Sequence, residues 1–284
     1  MYVEIFKWSI NWTRMENNNK AVKIFRQDSE NNAKLLCQLE FKLIKSLNSR
    51  EAHPHVIQVF FIGTLHKTYP FFTMELLDCN SKEYFERSSG ADAKSREEQI
   101  RKFSYQLFKG LAYIHANNIV HADIKPQNLL VGLDHGNEIL KIADFGLASE
   151  LEKIQKTHPK VLGELVTLPY RPPELLEFYP EGGNQYRDSI TPKIDIWAAG
   201  CTIVEWIIGR IFLHGTNNVA QGMIIFRQED RRTRAINLNT LRDSKYQQFT
   251  PMIGVLRAAL KIDRQRRLNA KCAQQKLEKV YDKA

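Results

Sequence analysis

Between His121 and Asn128 the chain reads His-Ala-Asp-Ile-Lys-Pro-Gln-Asn, which sets an acid (Asp123), a base (Lys125) and an amide (Asn128) within six residues. Pro126 stiffens the turn among them by fixing its own φ. A second polar island, Asp144-Phe145-Gly146, follows an apolar run, and the two islands together point to one site. Two further charges stand in apolar company. Lys23 interrupts the run Ala21 to Phe25, where period-2 alternation makes an outward-facing lysine the commoner arrangement. Glu40 follows Leu39 at the edge of an apolar helical stripe, where a carboxylate without a named partner is ordinarily solvated.

The elements that must position these groups can be read from periodicity. Residues 1–27 read as strands, with β-formers at Val3, Ile5 and Trp8 to Trp12, a turn at Asn17-Asn18-Asn19 and a strand from Ala21 to Phe25. Asp28 or Ser29 can cap a helix running to about Leu47, with Leu35, Leu36, Leu39, Leu43 and Leu47 at helical spacing. Two more strands are expected at Val56 to Ile62 and Phe71 to Leu76. Composition then turns helical. Ile100, Phe103, Leu107, Leu111 and Ile114 recur every three or four residues in a long amphipathic helix from about Ser95 to Asn117. Leu129 to Val131 and Ile139 to Ala143, separated by Asp134, Gly136 and Asn137, form a hairpin pattern. Residues 147–174 show few periodic cues. Thr191-Pro192 is a helix start, and the helix it opens, through Trp197, Ile203 and Ile207, is apolar nearly all round and therefore buried.

The formal charge is 41 − 32 = +9, so acidic surfaces, nucleotides or acidic peptides suit it as partners, although a solvated basic surface is the ordinary meaning of such an excess. Four cysteines without a Cys-x-x-Cys pair read as reduced thiols rather than a disulfide framework. His53 and His55 have no cysteine near them in sequence, which argues against a zinc site. No signal-peptide pattern opens the chain. Its most apolar stretch, Ile194 to Gly209, carries Asp195 and Glu205 and is too short to span a bilayer. The expected location is cytoplasmic or nuclear. The basic segments Arg231-Arg232 and Arg264 to Lys271 carry no nucleic-acid motif, so a nucleic-acid partner is not expected. Oligomeric state is not legible.

Taken in order, these motifs resemble the eukaryotic-type Ser/Thr protein kinase domain over nearly the whole length. His121 to Asn128 resembles the catalytic loop, and Asp144-Phe-Gly146 the metal-binding motif after it. Lys20-Ala-Val-Lys23 resembles the strand-lysine motif, and Glu40 matches the glutamate of the N-lobe helix. Pro172-Pro-Glu174 stands where Ala-Pro-Glu usually closes the activation segment, while Asp195-Ile-Trp197 and Arg267 match two late structural motifs. The resemblance implies an α+β, bilobal fold: one kinase domain over 1–284, with a small β-rich N-lobe at 1–77 and a larger helical C-lobe at 78–284. It also implies ATP and Mg²⁺ as cofactors and a protein substrate with a Ser/Thr acceptor. Asp144 and Asn128 would hold Mg²⁺, Lys23 the α/β-phosphates with Glu40 paired to it, Asp123 the acceptor's proton and Lys125 the transferred group. Met74 would sit behind the adenine. Glu75 and Leu77 would present backbone to it, with Ala21 and Leu130 packing on its two faces. Glu174 and Arg267 would form a structural ion pair, and Asp195 would tie the catalytic-loop backbone to the buried helix. Lys125-Pro126 and Thr167 are similar to Ser/Thr rather than Tyr kinases. Val166 to Leu176 is similar to cyclin-dependent kinases, and His53-Pro-His-Val-Ile57 to the ER stress-sensing kinase–endoribonucleases.

Two positions depart from the pattern. Kinases cover the phosphates with Gly-x-Gly-x-x-Gly, and here the first glycine is Gly63. Counted back from Lys23, that loop falls near residues 1–8 or before Met1. The alternative to an enzyme is accordingly a pseudokinase that serves as scaffold or allosteric partner. Ala122 stands where many kinases carry the arginine that pairs with a phosphorylated activation-loop residue, and Leu162 stands near where cyclin-dependent kinases have that residue. Activity independent of activation-loop phosphorylation is therefore expected, with Thr157 the remaining candidate site.

Overall fold

A computed structural model describes residues 2–6, 20–26, 30–49, 52–90, 92–151, 166–176 and 190–281. Four antiparallel strands open it: β1 (Tyr2–Phe6), β2 (Lys20–Arg26), β3 (Val59–Leu65) and β4 (Tyr69–Glu75), in the spatial order β1-β2-β4-β3. β2 is buried almost throughout, as its Ala-Val-Lys-Ile-Phe run requires, and pairs with β4 so that Ala21 faces Met74 and Lys23 faces Phe72. Residues 2–6, within one of the two stretches counted back for a phosphate loop, are a strand laddered to β2 from Tyr2↔Arg26 to Phe6↔Val22. Trp8 to Trp12, the Asn17 to Asn19 turn and the Asp28 or Ser29 cap lie outside the described residues.

Helix α1 (Glu30–Leu47) packs on β2, β3 and β4. Its buried face is Ala33, Cys37, Glu40, Ile44 and Leu47, a 3.6-residue stripe with a carboxylate at its centre. Leu35 and Leu39, expected in that face, are 54% and 55% exposed. The period is as expected and the phase is rotated, so Glu40 lies inside the buried stripe rather than at its edge.

Beyond the sheet, β5 (Cys79–Asn80) leads into α2 (Ser81–Arg87) and then the long α3 (Ala93–Ala116), capped by Asp92, whose side chain accepts from Lys94 N and Ser95 N. After β6 (Ile119–Val120), the hairpin β7 (Leu129–Asp134) and β8 (Asn137–Ile142) is closed by His135 and Gly136, both at positive φ as a two-residue primed turn demands. β5 adds to β7 to complete a three-stranded sheet, and β6 pairs with β9 (Ser149–Glu150). Helix α4 (Lys193–Ile208) is buried along nearly its whole length and ends at Gly209, whose φ of 75° favours glycine. α5 (Asn218–Gln228) follows, then α6 (Thr250–Ala259), which packs on α4, and α7 (Ala270–Tyr281), which packs along α3 and on α6. The architecture is thus a β-rich N-terminal part and a helical C-terminal part, joined through the residues that follow Glu75. No helix among the described residues is long and apolar enough to cross a membrane.

Candidate active site

The candidate residues converge where the four-stranded sheet faces the β7–β8 hairpin. Lys23, 2% exposed at the centre of β2, points inward, and its Nζ donates to both oxygens of Glu40 at 2.8 and 2.9 Å and to Asp144 Oδ1 at 2.6 Å. The inward lysine and the buried glutamate explain each other, since either alone would be an uncompensated charge in the core. Burial works against the charged form of Lys23, but Glu40 and Asp144 outweigh it and raise the pKa above the usual lysine value. Asp144 is held below the usual carboxylate range: burial would raise it, and Lys23 overcomes that. Glu40 Oε1 also accepts from Phe145 N at 3.1 Å, which fastens α1 to the Asp144-Phe145-Gly146 turn. Asp144 itself sits at φ 62°, a costly conformation for a non-glycine residue of the kind that collects at functional sites. Its side chain is 39% exposed, and its second oxygen has no partner among the described residues.

The second cluster is built on the loop after β6. Asp123 Oδ2 meets Lys125 Nζ at 2.7 Å and accepts from Asn128 Nδ2 at 2.9 Å. Asp123 Oδ1 accepts from the Thr167 hydroxyl at 2.6 Å, and that hydroxyl accepts from Lys125 Nζ at 2.9 Å. Asn128 spends its N–H groups on the Asp123 carboxylate and carbonyl, which turns its side-chain oxygen the other way. Asp144 and Asn128 therefore offer one carboxylate and one amide oxygen, hard ligands that fit Mg²⁺, an ion that completes its shell with waters and phosphate oxygens.

The loop has its own scaffold. Asp195, 1% exposed at the start of α4, accepts from the amides of His121 and Ala122 at 2.9 Å each, and from His115 Nε2 at 2.8 Å. Burial pushes its pKa up, but the His115 contact and these hydrogen bonds hold it below the usual carboxylate value. The Ala122 amide is presented from a left-handed backbone at φ 63°. His121 Nδ1 accepts from Asp123 N, so Nε2 carries the proton that it shares with the Ala143 carbonyl, and the ring lies edge-on to Phe145. Arg267, fully buried, forks onto Glu174 at 2.7 and 2.9 Å, which joins residues 166–176 to the C-terminal helices.

Around the cleft, Met74 is buried on β4 opposite Ala21. Glu75 ends β4. Its side chain accepts from Gln58 N and from Lys141 Nζ at 2.6 Å, so its carboxylate braces the strand ends. The Leu77 side chain rests on Gly132 of β7, where an added Cβ would lie 3.2 Å from Leu77 Cδ2. Leu130, half-buried, is on that same strand. Thr167 is the residue that sequence reasoning undervalued. It entered as a mark of acceptor class, and it proves to bridge the acid and the base. Its signal was only its place in a Thr-Leu-Pro run. Thr157 and Leu162 lie outside the described residues.

The family model for the protein kinase domain matches residues 10–280. Among curated proteins the chain is 31% identical over 220 residues to cyclin-dependent kinase 15 of Mus musculus, covering 78% of this chain and 45% of that protein. It is 35% identical over 212 residues to cyclin-dependent kinase 17 of Caenorhabditis elegans, covering 73% and 28%. To cyclin-dependent kinase 1 of Encephalitozoon cuniculi it is 33% identical over 218 residues, covering 75% and 67%. The chain thus spans less than half the length of the first two relatives. Among solved structures, the yeast RNA Pol II CTD kinase CTDK-1 complex superposes with a TM-score of 0.68 at 22% identity, over 90% of this chain and 84% of that one. The CAK complex of Chaetomium thermophilum bound to ATP-gamma-S gives 0.67 at 22% identity, over 90% and 81%. By fold, motif order and family match, the chain belongs to the protein kinase domain family.

Proposed function

We propose that this protein transfers the γ-phosphate of Mg·ATP to a Ser or Thr hydroxyl of a protein substrate. The observation that carries the reading is the simultaneous assembly of both clusters: Lys23 seated on Glu40 and Asp144, and Asp123 joined to Lys125, Asn128 and Thr167. Asp144 and Asn128 would hold Mg²⁺, which would supply charge neutralisation to the phosphates. Lys23, held in place by Glu40, gives its positive charge to the α/β-phosphates. Met74, Ala21, Leu77 and Leu130 form the walls of the base pocket, with the backbone after β4 as its polar edge. Asp123 orients the acceptor hydroxyl and takes its proton. Lys125 neutralises charge on the group in flight, and Thr167 holds acid and base at fixed separation. Little covalent work falls to the protein, so positioning carries the catalysis.

Ala122 removes the cation that would receive an activation-loop phosphate, so activity does not wait on that modification; Thr157→Ala is expected to leave the rate unchanged. A second reading, a domain that holds nucleotide weakly and acts as scaffold, is favoured by one feature: Tyr2–Phe6, the strand laddered to β2, carries no glycine. A phosphorylation assay with Mg·ATP on wild type and Asp144→Ala separates the two. Transfer by wild type that disappears in the variant supports the enzyme, and equal background from both supports the scaffold.

A further inference from the structure

Remote from the cleft, a cavity of about 560 Å³ lies between α3, the start of α4 and the start of α7. Ala112 and Ala116 of α3, Pro192 and Ile196 of α4, and Ala270 give it apolar walls. Its charges are of one sign. Lys193, Arg264 and Lys271 line it, and none of its lining residues is acidic. Lys193 is partly drawn inward, where its Nζ donates to the Arg267 carbonyl, and burial together with the Arg267 charge lowers its pKa. Arg264 and Lys271 have no side-chain partner among the described residues.

The backbone adds to this polarity. Asn269 caps α7 through Cys272 N, at 2.8 Å, and its carbonyl takes Ala273 N, at 3.0 Å. The first two amides of that helix, of Ala270 and Lys271, have no intrahelical acceptor. His115 lines the same cavity, which places an occupant one side chain from Asp195. A concave apolar site with a few converging polar groups and a volume on the order of 300–1,000 Å³ is the ordinary form of a small-molecule pocket. Two unpaired cations select the sign of the ligand.

We propose that this cavity binds a single-chain organic anion, a carboxylate or phosphate monoester on an aliphatic body, with Arg264 and Lys271 on its head and the alanine-lined walls on its chain. The test is calorimetric titration of the full chain with decanoate and with decyl phosphate, each below its micelle concentration, alongside 1-decanol, acetate and inorganic phosphate. Both amphiphilic anions are expected to bind at least tenfold more tightly than any of the three comparators. Arg264→Glu/Lys271→Glu, at positions without structural partners, is expected to weaken them at least tenfold with the urea midpoint unchanged. Ala116→Trp, at the exposed lip, fills the cavity and should weaken them similarly. Decanol binding as tight as decanoate, affinities untouched by both variants, or no binding at all would each overturn the assignment. The readout is binding, so its failure is distinct from any failure of phosphoryl transfer.

Discussion

Glu40 on α1 and Asp195 on α4 are both helical carboxylates removed from water, 4% and 1% exposed, yet they are satisfied by opposite means. Glu40 faces a cation, Lys23, in a pair that a second carboxylate, Asp144, also shares. Asp195 faces donors that carry no permanent charge, two backbone amides and an imidazole. In the proposed function the Lys23 charge is exchangeable, because an incoming phosphate would compete with Asp144 for it. The amides on Asp195 are not, because nothing that enters the cleft can replace them. In the proposed reaction one carboxylate therefore serves the phosphate-binding lysine, and the other serves the shape of the loop.

That distinction can be broken by experiment. Lys23→Met should cost roughly 10²–10³-fold in transfer rate, about 3–4 kcal/mol, as expected for removal of a preorganised charge. Unfolding should stay cooperative. A variant that retained most of its rate would erase the functional half of the comparison. Asp195→Ala should instead act on stability, because it orphans buried donors at about 1–3 kcal/mol each. Urea denaturation is expected to show a loss of about 3 kcal/mol, whereas Glu40→Gln, which keeps an acceptor for Phe145 N, should lose less stability and more rate. If the two variants ranked the same way in both measurements, the division of labour would be wrong.

The same comparison sharpens the expected response to acid. Asp195 is held below its usual range and Lys23 above it, so neither titrates between pH 4 and 7. His53 and His55 do contribute there, each lowered from 6.5 to about 4, chiefly by burial. At these two rings the unfolded chain binds more protons than the folded one, so their contribution to stability rises with pH from about 4 to about 6.5, whereas Glu40 and Glu205, raised above the usual carboxylate value chiefly by burial, act in the opposite sense. The gain in urea midpoint from pH 5 to pH 7 should be larger in the wild type than in a His53→Gln/His55→Gln variant; an equal gain in both would mean that the rings are charged in the fold. Thr167→Ala should have the smallest effect, roughly tenfold in rate, about 1.4 kcal/mol, since Asp123 and Lys125 keep their direct contact. Wild-type kinetics in that variant would reduce Thr167 to packing.

Much of this is legible in the sequence. The hairpin after Asn128, the all-apolar helix after Pro192 and the order of charged motifs follow from periodicity and turn chemistry. The phase of α1 is not, because Leu35 and Leu39 make a stripe as regular as the buried one, and only packing against β4 decides which face is covered. Small residues, Ala33 and Cys37, line the covered face and carry little hydrophobic signal. The strand expected from Val56 begins at Val59 for a related reason: Val56 bridges to Ile142 and Val59 begins the ladder, so apolar continuity hides a break in pairing. The position of Thr167 could not be read, since nothing in a hydroxyl's type says that a loop 44 residues away will meet it.

The two hydrogen bonds from Asp195 span 74 and 73 residues of chain. Residues 121–128 hold the acid, the base and the amide, yet the carboxylate that pins the loop's backbone is synthesised much later. Contacts of such sequence separation are slow to form, because the closure entropy of the intervening chain must first be overcome. On the ribosome, the emerging chain therefore carries its complete set of reactive side chains well before α4 exists to arrange them, and competence arrives with the docking of that helix rather than with the residues themselves.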